Sequence, residues 1–482
     1  MPVDRDAVLD AAKYLRGVRP LDPGELREYV ESQPHEAVVR QVLREHAADL
    51  GLVEREDGIF VPASGEPVRP EFDVRKTAQP SSVARQNAER SGDGVDALPE
   101  RYERVVEDLL IERWGADWHT GDSGKELRET IRRFKEDYYR QHPVEYDYEV
   151  ALGYAVYHLA TYYAAAQYVL DDLAEGGLLT DDLRVLDVGA GVGGPALGLF
   201  DFLPDDALVE YHAVEPSDAA DVLDELLDET GRNVHPTIHR ETAEDFDPDG
   251  EYDLVMACSV LSELDEPVET AQRYVDALAD DGTFLALAPA DKHTSTHLRE
   301  VERDLESRGA TVYGPTPRLW PGERPSDRGW TFDERPAVEQ PGFQKRLADA
   351  SQRPSEFSHT DVRFSYSLLR TDGARQHEVS LSADRLLKLA DADDRVTDRV
   401  DAVLAKLSRN LAEDGNPLFK VSDGSEREEC YAVLVRPTSL NRDLREADYG
   451  DLLSLESALV LWNDDEEAYN LVVDEETVVD RV

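Results

Sequence analysis

Over residues 5–62 the apolar positions predict a helix, a short helix, a longer helix over about 36–49, and then a pair of strands. Asp22 followed by Pro23 supplies an N-cap and first-turn pair for the short helix. The strands are two apolar runs in LVEREDGIFVP that turn at Glu56, Asp57 and Gly58. This is the element order of a winged helix, placed over residues 1–63. Its third helix sets Arg40 and Arg44 against Glu36, Glu45 and Asp49, a poor charge balance for reading DNA. Docking or dimerisation is the expected role.

Residues 64–98 hold Pro, Ser, Gly and charge without an apolar period, the pattern of a linker. Over 99–178 the period is helical, ending in YDYEVALGYAVYHLATYYAAAQYVLDDL, whose seven tyrosines predict an aromatic face packed on neighbouring helices. Residues 179–375 alternate strands (RVLDV, LVEYHAV, TIHR, YDLVMA, TFLALA) with helical segments. A helix over about 294–308, ATVYG and finally FSYSLLR follow, with an insertion at about 314–362 before the last strand. Strands separated by helices predict a parallel, doubly wound α/β sheet that binds its ligand at the carboxyl ends of the strands. Residues 376–482 predict two helices, LSADRLLKLADA and VTDRVDAVLAKLSRNLA, then a β-rich tail suited to a small barrel.

Composition changes the picture in two ways. The chain has 104 acidic and 52 basic residues for a net charge of −52, and nine of the basic residues are lysine. With 40% hydrophobic residues and 20 tyrosines, this is a folding chain of haloarchaeal character. In molar salt the Debye length is about 3 Å, which screens the self-repulsion, so the charge does not exclude a nucleic-acid partner. The two cysteines, Cys258 and Cys430, predict neither a disulfide framework nor a thiolate metal site. Residues 1–16 carry charges throughout and no 18-residue apolar run occurs, so no signal peptide, no membrane partner and a cytoplasmic location are expected.

The candidate chemistry centres on VLDVGAGVGGPA, residues 185–196. Gly189, Gly191 and Gly194 satisfy the G-x-G-x-x-G dinucleotide fingerprint, and with Asp187 and Gly193 the loop also satisfies D-x-G-x-G-x-G. Glycine lacks Cβ, which lets backbone approach a ligand. In dinucleotide enzymes the following helix start accepts a pyrophosphate. S-adenosylmethionine (SAM) has none, and the turn makes room for its methionine and ribose instead. Three features favour SAM. Asp187 ends the first strand. Glu215, before Pro216, ends the second, where a carboxylate can accept both ribose hydroxyls. Asp245, after Glu244, follows the third and is placed for the adenine amino group. Ala190 in the turn and Cys258 at the fourth strand's end complete the expected lining. Glu215 alone would also suit NAD, and a degenerate, empty site on the same fold is the other alternative.

Two flanks narrow the family. YAVYHLATYYAAAQYVLDDL before the turn and YDLVMACSVLSEL at the fourth strand resemble the methyltransferase-like small-subunit ribosome-assembly family, which includes a mitochondrial factor and prokaryotic relatives. FSYSLLR is similar to its later strand, and the likeness covers roughly 145–370. The resemblance implies a Rossmann-like SAM-dependent methyltransferase fold with the small ribosomal subunit or its rRNA as partner. Many members also carry a four-cysteine iron–sulfur cluster beside that fold. Here Thr316 and Thr331 stand about where two of those cysteines are expected, so neither a cluster nor any other metal is predicted.

Residues 311–370 hold nine basic against eight acidic side chains. Arg318, Arg324 and Arg328 interleave with Trp320 and Trp330, a mixture suited to phosphate contact and base stacking, so these five are the candidate RNA contacts. The alternative is a proline-rich loop whose aromatics pack on the sheet. Catalytic candidates are Ser262 and Glu263 after the fourth strand and His293 after the fifth, each with a capping or solvated alternative. Three functions compete: a ribosomal-RNA methyltransferase, a small-molecule O-methyltransferase with a dimerising winged helix, and a non-catalytic SAM-binding assembly factor.

Overall fold

The computed structural model describes residues 5–70, 94–379, 381–382 and 386–482. Helix α1 (Arg5–Leu15) buries Val8, Ala12 and Leu15. Asp22 caps α2 (Pro23–Leu26), its carboxylate accepting from the Gly24 N–H at 2.7 Å. α3 (Glu36–Glu45) buries Val39, Val42 and Leu43, and α4 (Ala47–Leu50) ends on left-handed Gly51. β1 (Leu52–Glu54) and β2 (Phe60–Pro62) pair antiparallel, and Leu21 bridges to Phe60 as a third, minimal strand. The order is that of the expected winged helix. Arg44 pairs with Glu54 and Arg40 with Glu36, so the arginines of α3 are neutralised at home.

Residues 71–93 of the expected linker lie outside the described residues. Its described ends are fixed: Val68, Val95 and Leu98 are buried, and the Val68 N–H donates to the Leu179 carbonyl at 2.8 Å. Three helices follow, α5 (Glu100–Trp114), α6 (Gly121–Tyr139) and α7 (Tyr148–Glu175). α7 is buried along most of its 28 residues, Tyr157, Tyr163 and Tyr168 among them, which accounts for much of the tyrosine run.

The alternating segment gives β3 (Asp182–Val188), α8 (Gly194–Phe202), β4 (Leu208–Val214), α9 (Ala219–Leu227), β5 (Val234–His239), β6 (Tyr252–Cys258) and α10 (Pro267–Val275). β7 (Leu278–Pro289), α11 (Lys292–Ser307), β8 (Thr311–Gly314), β9 (Asp333–Arg335), α12 (Gly342–Asp349) and β10 (Val362–Arg370) complete it. The chain divides into two compact units, one of Met1–Phe246, Glu251–Leu254 and Ala337–Thr360, the other of Asp247–Gly250, Val255–Pro336 and Asp361–Val482. In the first unit the strand order is β5-β4-β3-β6; β3, β4 and β5 run parallel. In the second the order is β6-β7-β10-β8, with β9 on β10. β10 runs antiparallel to β7, β8 and β9, so the sheet is mixed where an all-parallel one was expected. No crossover helix returns the chain from β8 to the start of a parallel neighbour, and the strand comes back reversed.

The second unit ends in β11 (Arg399–Lys406), β12 (Leu418–Ser422), β13 (Glu429–Leu434), α13 (Asp443–Glu446), β14 (Leu452–Asn463), β15 (Ala468–Val473) and β16 (Val478–Arg481). The order β11-β12-β13-β15-β14 closes by pairing β14 with β11, and β13 runs parallel to β15. A closed first-second-third-fifth-fourth order with one parallel pair is that of the oligonucleotide/oligosaccharide-binding barrel. The two helices expected before this tail need correction. Residues 383–385 of the first lie outside the described residues, and its end is a 3-10 turn, Leu389–Arg395. The second is the strand β11. Ala402 and Leu404 enter the barrel core, while Val403 and Ala405 pack under Leu319 and Trp320. A strand covered on both faces is apolar at successive positions and imitates a buried helix in sequence.

Candidate functional site

In the first unit the carboxyl ends of β3 and β4 converge on the glycine turn. The Gly189 N–H donates to the Val214 carbonyl at 2.8 Å, carrying the chain across the end of β4. Gly189, Gly191 and Gly193 have φ of 68°, 55° and 85°, backbone that L side chains rarely adopt. A Cβ on Gly193 would stand 2.4 Å from Leu223 Cδ1. Leu223 Cδ1 is the end of a flexible side chain and can give way, so it is the backbone φ of 85° that favours glycine there.

Glu215, 7% exposed, accepts from the Gly191 N–H at 2.8 Å, and from the Ser217 N–H and hydroxyl at 3.0 and 2.5 Å. Asp187 is 1% exposed; the Tyr211 hydroxyl donates to its Oδ2 at 2.8 Å, and its Oδ1 is buried with no hydrogen-bond partner. Burial pushes the Asp187 carboxyl up to about 7 despite the Tyr211 hydrogen bond, and the Glu215 charge adds to the rise. Ala190 is buried in the turn. Glu244 is half-buried and Asp245 exposed on the loop after β5, where the Thr242 hydroxyl donates to Asp245 at 3.0 Å.

The structure thus brings Asp187, the turn and Glu215–Pro216 together, with Glu244 and Asp245 on the next loop. Buried carboxylate oxygens, one without a partner, suit hydroxyls and a cationic ligand better than a pyrophosphate. The residues present fit SAM. Tyr211 and Ser217 escaped sequence reasoning. Tyr211 carried a usable signal: Asp187 faces Ala213 in the β3–β4 register, which puts Tyr211 diagonal to it.

The second unit holds the other candidates. Cys258 ends β6 and is 9% exposed. Ser259 follows in the left-handed region at φ 62°, its hydroxyl oxygen buried without a partner. Ser262 and Glu263 are exposed on a 3-10 turn, Leu261–Glu263. His293 is exposed in the first turn of α11, its N–H donating to the capping Asp291 carboxylate at 3.0 Å, so its observed place is a helix start.

Two of the expected RNA contacts need correction. The Arg318 side chain is 2% exposed and donates to Glu306 at 2.9 Å and Glu302 at 3.3 Å. Trp320 is buried with its indole N–H on Asp423 at 2.6 Å. Both are internal because the insertion lies along the barrel: Leu319 and Ser326 bond backbone to Asp423 and Glu426, and Lys420 reaches Asp327 at 2.5 Å. The β12 side of the barrel carries this cover. Arg324 and Arg328 keep side chains about half exposed, at 50% and 53%, and Trp330 is half-buried with its N–H on the Ala290 carbonyl.

A groove of about 1180 Å³ in the first unit lies away from the turn, lined by Asp57 of the β1–β2 loop and by Asp205, Val209 and Asn233 at the amino ends of β4 and β5. Among the described residues no helix is long and apolar enough to cross a membrane, and no group of three or more His, Cys, Asp or Glu side chains is set to hold a metal ion.

Residues 186–284 match the family model of a methyltransferase domain. Residues 5–56 and 390–482 match the N-terminal and C-terminal models of a domain of unknown function, DUF8157. No curated protein matches the chain. Among solved structures it is similar to a SAM-dependent methyltransferase from Clostridium acetobutylicum, 10% identical, covering 43% of this chain and 91% of that one at a TM-score of 0.28. It is also similar to the N-methyltransferase NodS from Bradyrhizobium japonicum in complex with S-adenosyl-L-homocysteine, 12% identical over 43% and 85% of the chains at 0.28. A third is the mitomycin 7-O-methyltransferase MmcR, 17% identical over 59% and 75% at 0.24. Scores this low carry no argument of their own, and the assignment stands on the family match over the segment that holds the glycine turn. The chain contains a SAM-dependent methyltransferase domain.

Proposed function

We propose that this methyltransferase acts on small-subunit ribosomal RNA during assembly, in a cytoplasm of high salt. The observation that carries the cofactor half is the Gly191–Glu215 contact beside buried Asp187. These residues and the turn would hold SAM, which supplies an electrophilic methyl group when bound. The two carboxylates orient that ligand, and transfer can rest on proximity, with the acceptor held against it. Support for the RNA half comes from the sequence resemblance over about 145–370, from the barrel's strand order as a fold-level analogy, and from exposed Arg324 and Arg328.

A small-molecule O-methyltransferase with a docking winged helix is the second reading. It is favoured by the neutralised arginines of α3, and by the Glu54 N–H that donates to Asn233 at 2.9 Å and fastens the strand pair within the first unit.

Two measurements test the proposal. Calorimetric titration with SAM should show Glu215→Ala binding about tenfold to a hundredfold more weakly than wild type, the range for losing a charged hydrogen-bond acceptor. Unchanged affinity overturns the cofactor half. Arg324→Glu with Arg328→Glu should abolish co-sedimentation with immature small subunits while leaving SAM affinity intact. Undiminished co-sedimentation overturns the RNA half.

A further inference from the structure

Helix α7 carries a second set of groups near the glycine turn. Tyr154, His158 and Tyr162 follow at four-residue spacing and share one face. The His158 ring stands 4.6 Å from Tyr154 and 5.1 Å from Tyr162, centroid to centroid, the latter pair stacked at 19°. Phe134 at 6.1 Å, Tyr157 at 4.8 Å and His359 at 5.0 Å surround it. Tyr162 borders the turn itself: a Cβ on Gly194 would lie 3.1 Å from Tyr162 Cβ.

His158 is only partly buried, yet its Nδ1 is shut off from water and has no hydrogen-bond partner. An unpaired buried polar group is destabilising. The neighbouring His359 avoids that cost, its Nδ1 lying 3.2 Å from the Thr161 hydroxyl. Burial, then the charges of His359 and Lys135, push the His158 ring well below its ordinary pKa. It is neutral at pH 7, with one donor and one acceptor nitrogen.

We propose that this face of α7 binds the methyl acceptor, an uncharged planar ring bearing an N–H or O–H that stacks on the tyrosines and hydrogen-bonds to His158. This deepens the methyltransferase reading and rests on it. Lys135, the cation beside the cluster, is engaged by the Tyr157 hydroxyl at 2.6 Å and the Glu356 carbonyl at 3.1 Å, so the cluster offers little to a phosphate or carboxylate. Two sources share the required chemistry: a nucleobase splayed from single-stranded RNA, and a phenolic small molecule.

The full chain is titrated first with S-adenosylhomocysteine, then, saturated with it, with cytidine and separately with 2-naphthol. Binding of cytidine supports the nucleobase source and binding of 2-naphthol the phenol. His158→Phe, which keeps the ring stack, should weaken the bound probe about tenfold or more without changing S-adenosylhomocysteine affinity. His158→Asn, which restores a polar group near Nδ1, should recover most of the loss. Binding of neither probe, or an unchanged affinity in His158→Phe, overturns the acceptor site and leaves the methyltransferase standing. Failure of S-adenosylhomocysteine to bind wild type overturns both.

Discussion

Asp187 and Glu302 are each 1% exposed, yet the protein treats the two carboxylates in opposite ways. Asp187 has one hydroxyl for company and a second carboxylate nearby, and burial pushes it up to about 7. Glu302 faces the same penalty from burial, but Arg299, Arg318 and the hydroxyls of Ser367 and Thr316 outweigh it and hold the carboxyl at about 2. Burial sets the size of the electrostatic stakes, and the presence of a cation sets their sign. One carboxylate is complete within its own network. The other ends a strand beside a glycine turn with an oxygen unanswered, where a positively charged ligand would complete it.

The closed network is the place where breakage should hurt most. Arg318→Ala leaves Glu302 and Glu306 buried without their shared guanidinium, and should cost about 3–5 kcal/mol. Arg324→Ala, at an exposed site beside the same Glu306, should cost about 0–1 kcal/mol. Denaturant midpoints compare them directly. Equal losses would mean that Arg318 is not sealed in. The Glu302 contribution is present above the ordinary carboxyl pKa of 4.5 and is lost as pH falls toward about 2, so the gap between wild type and Arg318→Ala should narrow over that interval.

The same pair shows why one half of the chemistry was legible and the other was not. Asp187, the glycines and Glu215 lie at fixed offsets from strand ends, so local spacing announces them. Arg318 and Trp320 belong to an Arg-aromatic stretch whose composition is the same whether it faces water or the interior. The partners of Arg318 sit on α11, where Glu302 and Glu306 occupy the buried stripe with Leu298, Val301 and Leu305. Charges in register with an apolar period were the available sign of a buried ion network. Thr316 and Thr331, where the resemblance places cysteines, serve the same network: the Thr316 hydroxyl donates to Glu302 at 2.8 Å, and the Arg299 Nε–H donates to Thr331 at 3.3 Å. The strand β11 was illegible for a related reason, since cover on both faces erases the alternation that marks a strand.

Asp187→Asn gives the smaller effect and the sharper test. In the unfolded chain this carboxyl ionises near 3.8, in the folded chain near 7. Between those values the folded state holds more protons than the unfolded state, so this residue lowers stability as pH rises and its contribution is level above pH 7. Asparagine does not ionise. The stability advantage of Asp187→Asn over wild type should therefore be absent below about pH 4, grow to about pH 7 and then stay constant. That is opposite in sense to the Glu302 network, whose contribution increases with pH. An advantage that shrank as pH rose would place a cation beside Asp187 and erase the distinction between the two carboxylates. SAM is positively charged, so binding at the turn should favour the ionised carboxyl and release a proton between about pH 6 and 7. Calorimetry in buffers of different ionisation heat should find that proton with wild type and lose it with Asp187→Asn, because only the native side chain has one to give.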